Sequence, residues 1–369
     1  DESRRKLIFT NGLGGFTEDG REYVIKTDAE SVTPAPWVNV LGNREFGSVV
    51  TESGGAYTWG ENAHEFRLTT WYNDPVSDTT GEAFYIRDEQ SGRFWSPSPL
   101  PCRGEGPYIT RHGFGYSVFE HNQDGIESEM WTYVPLDGKA KYCVFKLRNV
   151  SGTSRRLSIT GYFEWVLGEL RSSGLTNVIT EVDPKSGALF ARNPYNTDFS
   201  GRVAFVQASE DVRSVTGDRT EFIGRNGTLS APAAMKRARL SGRVGAGVDP
   251  AGVMQVTVEL ADGQEHDVAF LVGCGADGNE VIAGIGPVLE GHVLSVRLEV
   301  PQVDRPGEHI DLRAAIVDVV FPRHLMAGEI QKPRQRVAEY GATGMAHMHR
   351  PRGVGRDEFD VDLPALPQR

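Results

Sequence analysis

Cysteine is scarce: Cys102, Cys143 and Cys274 are three among 369 residues, far apart and in no Cys-x-x-Cys pair. That excludes a disulfide framework and a thiolate zinc site, and predicts a reducing compartment, the cytoplasm. Long hydrophobic runs are lacking too. Nothing approaches the ~18 apolar residues that cross a bilayer, so no membrane segment is expected in this chain. No secretory leader is read, so Asn149-Val-Ser151 and Asn226-Gly-Thr228 are expected to be chance matches to the glycosylation pattern. Positive charge is short, 39 Lys and Arg against 50 Asp and Glu, for a net charge of −11. That argues against nucleic acid and anionic membrane surfaces as partners. Tryptophan does not occur after Trp165. From Pro322 onward aromatics give way to Arg, Pro and Gly, which predicts a poorly ordered or loosely draped end. His347-Met-His349 lacks a third ligand nearby, so no metal and no other cofactor is expected.

What is abundant is turn chemistry. The chain holds 43 Gly and 20 Pro, which favours many short strands over long helices. Runs of alternating or apolar residues arrive with turn signals every 8–12 residues or so. Leu7-Ile-Phe9 and Tyr23-Val-Ile25 flank an Asp19-Gly20 turn. Glu82–Arg87 and Arg93–Trp95 flank Asp88–Gly92. Tyr108–Glu120 and Ile126–Val134 flank Asn122–Gly125. Lys141–Arg148 with Arg156–Val166, and Met254–Leu260 with His266–Val272, read as two further hairpins. Ser214–Phe222 reads as loop, and Pro232–Ala238 as a helical turn or two. This spacing predicts an all-β sandwich of two large sheets. The glycines of Asn11-Gly-Leu-Gly-Gly-Phe16 lack the Lys-Ser/Thr of a phosphate loop and are flanked by no helix.

The most informative stretch runs from Thr33 to Trp71. Pro34 and Pro36 stiffen its entry. Phe46–Val50, the Ser53-Gly-Gly55 break and Ala56–Trp59 then read as strand, turn and strand. Trp37, Trp59 and Trp71 are three of the chain's six tryptophans, with carboxylates, Asn, His and Arg between them. Sugars stack their CH faces on aromatic rings and need paired polar groups for their hydroxyls, so Trp59, Glu61, His64, Arg67 and Trp71 form the candidate carbohydrate-binding face. The competing reading is a hairpin whose aromatics fill the core.

Asn11–Phe16, Tyr23–Ile25 and Thr33-Pro-Ala-Pro-Trp-Val-Asn39 resemble the N-terminal domain of family 94 glycoside phosphorylases, and within it the module at the C-terminal end of cyclic β-1,2-glucan synthases. Glu61–Leu68, Asn73–Ser77, Arg111–Glu120, Leu147–Ser151, Glu164-Trp-Val-Leu-Gly168, Ala188–Thr197 and Thr216–Phe222 continue the likeness, over roughly residues 7–280. The resemblance implies a large antiparallel, galactose mutarotase-like β-supersandwich over residues 1–280. A divergent, irregular C-terminal extension follows over 281–369. In that family the general acid and the phosphate-binding residues lie in an (α/α)6 barrel. The residues after Val281 are too few for its twelve helices, so no catalytic residue is assigned. The expectation is a non-catalytic carbohydrate-binding or structural module, not an enzyme on its own. Its partners would be a β-glucan or oligosaccharide and a second copy in a homodimer. The alternatives are a scaffold for a separately encoded barrel and a weakly active phosphorylase or glycosyltransferase. No acid–base pair stands out among Glu61, Glu65, Asp74, Glu120 and Glu164. In related phosphorylases the loop after the strand equivalent to Tyr162–Trp165 reaches toward the partner subunit's active site. The matching loop here, about Glu169–Asn177, does not match that pattern residue by residue, so no binding residue is carried over from it.

Overall fold

The computed structural model describes residues 6–276 and 278, so the expectations for 281–369 and for His347 and His349 lie outside the described residues. Twenty strands follow in chain order among those described: β1 (Leu7–Ile8), β2 (Gly14–Thr17), β3 (Glu22–Thr27), β4 (Val38–Gly42), β5 (Phe46–Thr51), β6 (Ala56–Gly60), β7 (Arg67–Thr69), β8 (Glu82–Asp88), β9 (Phe94–Trp95), β10 (Tyr108–Gly113), β11 (Tyr116–Gln123), β12 (Ile126–Tyr133), β13 (Ala140–Asn149), β14 (Arg155–Gly168), β15 (Ile179–Val182), β16 (Leu189–Arg192), β17 (Val203–Ala208), β18 (Val212–Asp218), β19 (Pro250–Leu260) and β20 (Glu265–Gly275). One sheet has eleven strands in the order β1-β2-β3-β10-β11-β12-β13-β20-β17-β16-β15. The other has nine: β18-β19-β14-β7-β6-β5-β4, with β8 beside β14 and β9 beside β8. Neighbouring strands pair antiparallel, as in β10–β11, β12–β13 and β14–β19.

The core between the sheets follows from the period-two alternation of the strands. Ile126 and Met130 of β12, Phe145 and Leu147 of β13, and Leu157, Ile159 and Phe163 of β14 all point into it. Phe84 of β8 sits at its centre, edge-on to Phe145 at 5.1 Å and to Phe270 at 5.5 Å. One charged pair crosses the same interior. Lys141, 1% exposed, meets Glu82, 3% exposed. The Glu82 carboxylate also accepts the hydroxyls of Thr58 and Thr69, each at 2.6 Å.

Two hairpins expected from the sequence are cross-sheet connections. β13 is already flanked by β12 and β20, and β14 by β19 and β8. The turn after Asn149 therefore carries the chain from one sheet to the other, and so does the turn at 261–264. The two turns are clipped together: the Asn149 side-chain amide donates to Leu260 O at 3.0 Å, and Gly152 N to Asp262 Oδ1 at 2.9 Å. Asn149 is fully buried, so its match to the glycosylation pattern is not an accessible one. The run from Tyr108 is broken at Gly113–Gly115 into β10 and β11. Ser214–Phe222 is not loop but the end of β18 followed by α2 (Arg219–Ile223). Its N-cap is Asp218, whose carboxylate accepts from Thr220 N and Glu221 N. Asp218-x-x-Glu221 is the sequence signal of that cap. The helical turn at Pro232–Ala238 is a 3₁₀ turn over Ala233–Lys236.

The Pro-stiffened entry is held by polar groups. Glu52 Oε2 accepts Trp37 N at 2.7 Å, and the Trp37 carbonyl meets His112 Nε2 at 3.1 Å. A carbonyl can only accept, so Nε2 carries the proton and Nδ1 takes the Ser117 hydroxyl, 2.9 Å away. Burial pushes the His112 imidazole down to about 4, against the pull of the Trp37 carbonyl. The unfolded chain then takes up this proton first as pH falls. The stability contributed by neutral His112 is complete above about pH 6.5 and is lost toward pH 4, a difference on the order of 3 kcal/mol. His112→Gln is expected to flatten the fall of Tm over that window, as read by thermal unfolding at stepped pH.

Candidate functional site

β6 alternates. Ala56 and Thr58 face the interior, and Tyr57 and Trp59 lie on the opposite face, with Tyr57 itself buried and Trp59 partly so. Tyr57 is the centre of an aromatic ledge: its ring lies 5.3 Å from Trp59 and 4.9 Å from Trp71, at 34° and 38°. Arg67 stands opposite Trp59 in the β6–β7 ladder, with its guanidinium 5.9 Å from the Tyr57 ring centroid. Burial raises the Tyr57 phenol and Arg67 draws it back down. Trp71 is pinned by one bridge to Thr80. Both tryptophans are partly buried.

Trp59 lies flat on the backbone of β5. A Cβ on Gly47 would sit 2.3 Å from Trp59 Cζ2, so only glycine leaves room for the ring. Gly47→Ala is expected to displace the indole at a cost of about 1–3 kcal/mol. Thermal unfolding and near-ultraviolet circular dichroism would show the lower Tm and the altered tryptophan signal.

The remaining candidates part from the ledge. Glu61 is held bidentately by Arg202, at 2.6 and 3.0 Å, and this partner keeps its carboxyl below the usual range. Its backbone is left-handed, with φ 55°. Glu61 thus ties two loops together and does not join Trp59 and Trp71. His64 is exposed, with Nδ1 2.8 Å from Glu65 Oε1 and Nε2 3.5 Å from Glu169 Oε1. The amides of His64 and Glu65 both donate to Asn62 Oδ1 at 2.9 Å, which fixes this turn. Arg67 reaches the Glu169 carbonyl at 3.3 Å. The structure therefore groups Trp59, Arg67 and Trp71 on the ledge, places His64 beyond it and leaves Glu61 apart.

Glu65 and Glu169 lead into a cavity of about 250 Å³ lined mainly by polar groups, among them Asn177, Asn193, Tyr195 and Asn196. A bulge at the end of β14 shapes one wall. Leu167 is left-handed there, φ 48°, although it carries a branched side chain. Its carbonyl accepts both the Asn193 amide at 3.1 Å and the Asn196 amide at 3.2 Å. Strain of this kind persists where neighbours over-determine it. Tyr195, 77% exposed, stands at the rim. From the sequence, Asn193-Pro-Tyr-Asn196 enters only within the Ala188–Thr197 likeness, and neither Tyr195 nor Tyr57 is among the candidate site residues. The signal was an aromatic residue inside a turn rich in Asn.

Chemically this arrangement can hold a polyhydroxylated ligand: rings for CH faces, amides and carboxylates for hydroxyls. The two described carboxyls that burial pushes upward, Glu52 and Asp267, line neither ledge nor cavity. Among the described residues no group of three or more His, Cys, Asp or Glu is placed to hold a metal. No described helix is long and apolar enough to cross a membrane.

Two large antiparallel sheets packed face to face, joined by connections that change sheet, define a β-supersandwich. Residues 21–287 match the glycosyl hydrolase 94 supersandwich domain, and the chain belongs to that family. It is 39% identical over 269 residues to the cyclic β-(1,2)-glucan synthase NdvB of Rhizobium meliloti, covering 72% of this chain and 10% of that protein. It is 28% identical over 274 residues to the N,N'-diacetylchitobiose phosphorylase of Vibrio furnissii, covering 72% of this chain and 34% of that enzyme. The chain thus spans a tenth to a third of the length of these relatives. Among solved structures, a galactose mutarotase related enzyme from Lactobacillus acidophilus aligns with a TM-score of 0.39 at 10% identity, over 66% of this chain and 99% of that one.

Proposed function

We propose that this chain is a non-catalytic, carbohydrate-contacting module of a β-glucan synthase or glycoside phosphorylase. The observation that carries the reading is the Tyr57–Trp59–Trp71 ledge on β6 and just after β7, together with a polar cavity that Glu65, from the segment joining those strands, lines and that has Tyr195 at its rim. Relatives that build or cleave glycosidic bonds support the same class of ligand. A β-1,2-linked glucan is the first ligand to try. The same reading puts the module in the cytoplasm, which its three free cysteines support.

Calorimetric titration with β-1,2-gluco-oligosaccharides tests this. Saturable heat is expected for the wild type, with affinity about tenfold weaker in Trp71→Ala, the equivalent of one lost ring contact. Absence of heat above buffer in both proteins would contradict it.

The second reading is a scaffold or dimerisation role beside a catalytic barrel. Light scattering would give a mass of two chains if the domain dimerises.

A further inference from the structure

Glu164 is a buried carboxylate, 1% exposed, on the face of β14 away from the core. Its Oε1 receives the Tyr72 hydroxyl at 2.5 Å and lies 2.9 Å from Arg171 Nε. Its Oε2 receives the Tyr162 hydroxyl at 2.6 Å and Arg219 Nε at 2.9 Å. Both arginines then turn to Asp249. Arg171 pairs with Asp249 Oδ1, and Arg219 NH1 is 3.5 Å from Oδ2. The four side chains close a ring of alternating charge: Glu164, Arg171, Asp249, Arg219. The ring joins the end of β14, the start of α2 and the start of β19.

Arg171 belongs to the loop after β14 and begins the four-residue helix α1 (Arg171–Gly174). Leu170, Ser173, Gly174 and Asn177 of that loop line the cavity. Among the described residues the other hydrogen bonds of 170–177 stay within the loop, such as Ser173 N and Oγ to Leu170 O and Asn177 N to Gly174 O, while Glu169 at its start is met by Arg67 and His64. Leu170 is half exposed. Arg171, 18% exposed, is therefore the deep anchor of this wall. The ring's other arginine, Arg219, touches Glu164 and Asp249 in the same way but lies outside the loop.

We infer that Arg171 is a positioning residue: through Glu164 and Asp249 it holds the 169–177 loop in the shape that forms the cavity wall. The inference rests on the carbohydrate reading only for the identity of the ligand. A wall already held in place spares the ligand the cost of ordering it.

The test compares Arg171→Met with Arg219→Met. Each removes one cation and leaves Glu164 with the other arginine and both tyrosines. Hydrogen exchange is followed by mass spectrometry, and β-1,2-gluco-oligosaccharide affinity by calorimetry. Arg171→Met is expected to speed exchange in 170–177 about tenfold, with β14 and β19 unchanged, and to weaken the oligosaccharide about tenfold. Arg219→Met is expected to leave both readouts near wild type, even if its Tm falls. Arg171→Lys should recover part of the protection. Equal loosening of the loop in both variants, or none in Arg171→Met, would overturn the inference. So would a loosened loop with unchanged affinity. If the wild type binds no oligosaccharide, the carbohydrate reading falls, and the exchange contrast alone decides whether Arg171 holds the loop.

Discussion

Lys141→Met is expected to lower the free energy of unfolding by about 3–5 kcal/mol. Lys141 and Glu82 face each other between the sheets, at 1% and 3% exposure. Removing the ammonium leaves a carboxylate that water cannot reach. The Thr58 and Thr69 hydroxyls still donate to it, but two neutral donors do not offset a buried charge. The same logic sets the rescue. Lys141→Met with Glu82→Gln removes both charges and keeps an acceptor for the two hydroxyls, so most of the loss should return. The two effects must then be far from additive, because the residues share one interaction. Urea denaturation of the two single variants and the double variant measures this. A single variant within 1 kcal/mol of wild type would mean that the pair is solvated and does not join the sheets.

Phe145→Ala is expected to cost a comparable amount, about 3–5 kcal/mol, for an apolar reason. Phe145 is fully buried on β13, edge-on to Phe84 at 5.1 Å and 6.0 Å from Phe270. Phe84 in turn lies 5.7 Å from Phe163 of β14. Four rings from four strands of the two sheets thus fill this part of the interior. Truncating one leaves a cavity that the others cannot close, since each is held by its own strand. Phe145→Leu should recover over half of the loss by refilling that volume. Equal stability of Phe145→Ala and wild type in the same denaturation assay would contradict a ring-filled interface.

The local part of this fold is legible in the sequence. Alternation in Ile126–Tyr133, and the Asp19-Gly20 and Ser53-Gly-Gly55 turns, predict a strand and bends where the structure has them. The strand paired with Tyr23–Ile25 across Asp19-Gly20, however, is Gly14–Phe16 and not the Leu7–Phe9 run, which pairs with that strand instead. What the sequence hides is which sheet a strand joins. Turns at 149–154 and 261–264 look like hairpin turns because turn chemistry reports a reversal of direction and nothing of distant partners. β13 finds β20 more than a hundred residues later, and that pairing leaves no local trace. The candidate site divides in the same way. Tyr57 and Trp59 share a face of β6 by strand periodicity, but Trp71 joins them through an isolated bridge to Thr80 beyond β7, which no local pattern announces. Glu61 departs because its partner, Arg202, lies 141 residues away. The cavity wall depends on Leu167 adopting a left-handed backbone, which nothing in its side chain announces. The pairing of Glu164 with Arg171, Arg219 and Tyr72 is likewise a product of tertiary packing.

The central claim, that the ledge on β6 contacts a glycan, is most directly tested by nuclear magnetic resonance of the indole Nε1–H signals. The six tryptophans give few resonances, and single Trp→Phe variants assign them. On titration with a β-1,2-gluco-oligosaccharide, the Trp59 and Trp71 signals are expected to shift in a saturable way while buried Trp165 stays still. An unmoved spectrum, or shifts confined to tryptophans away from the ledge, would contradict the account.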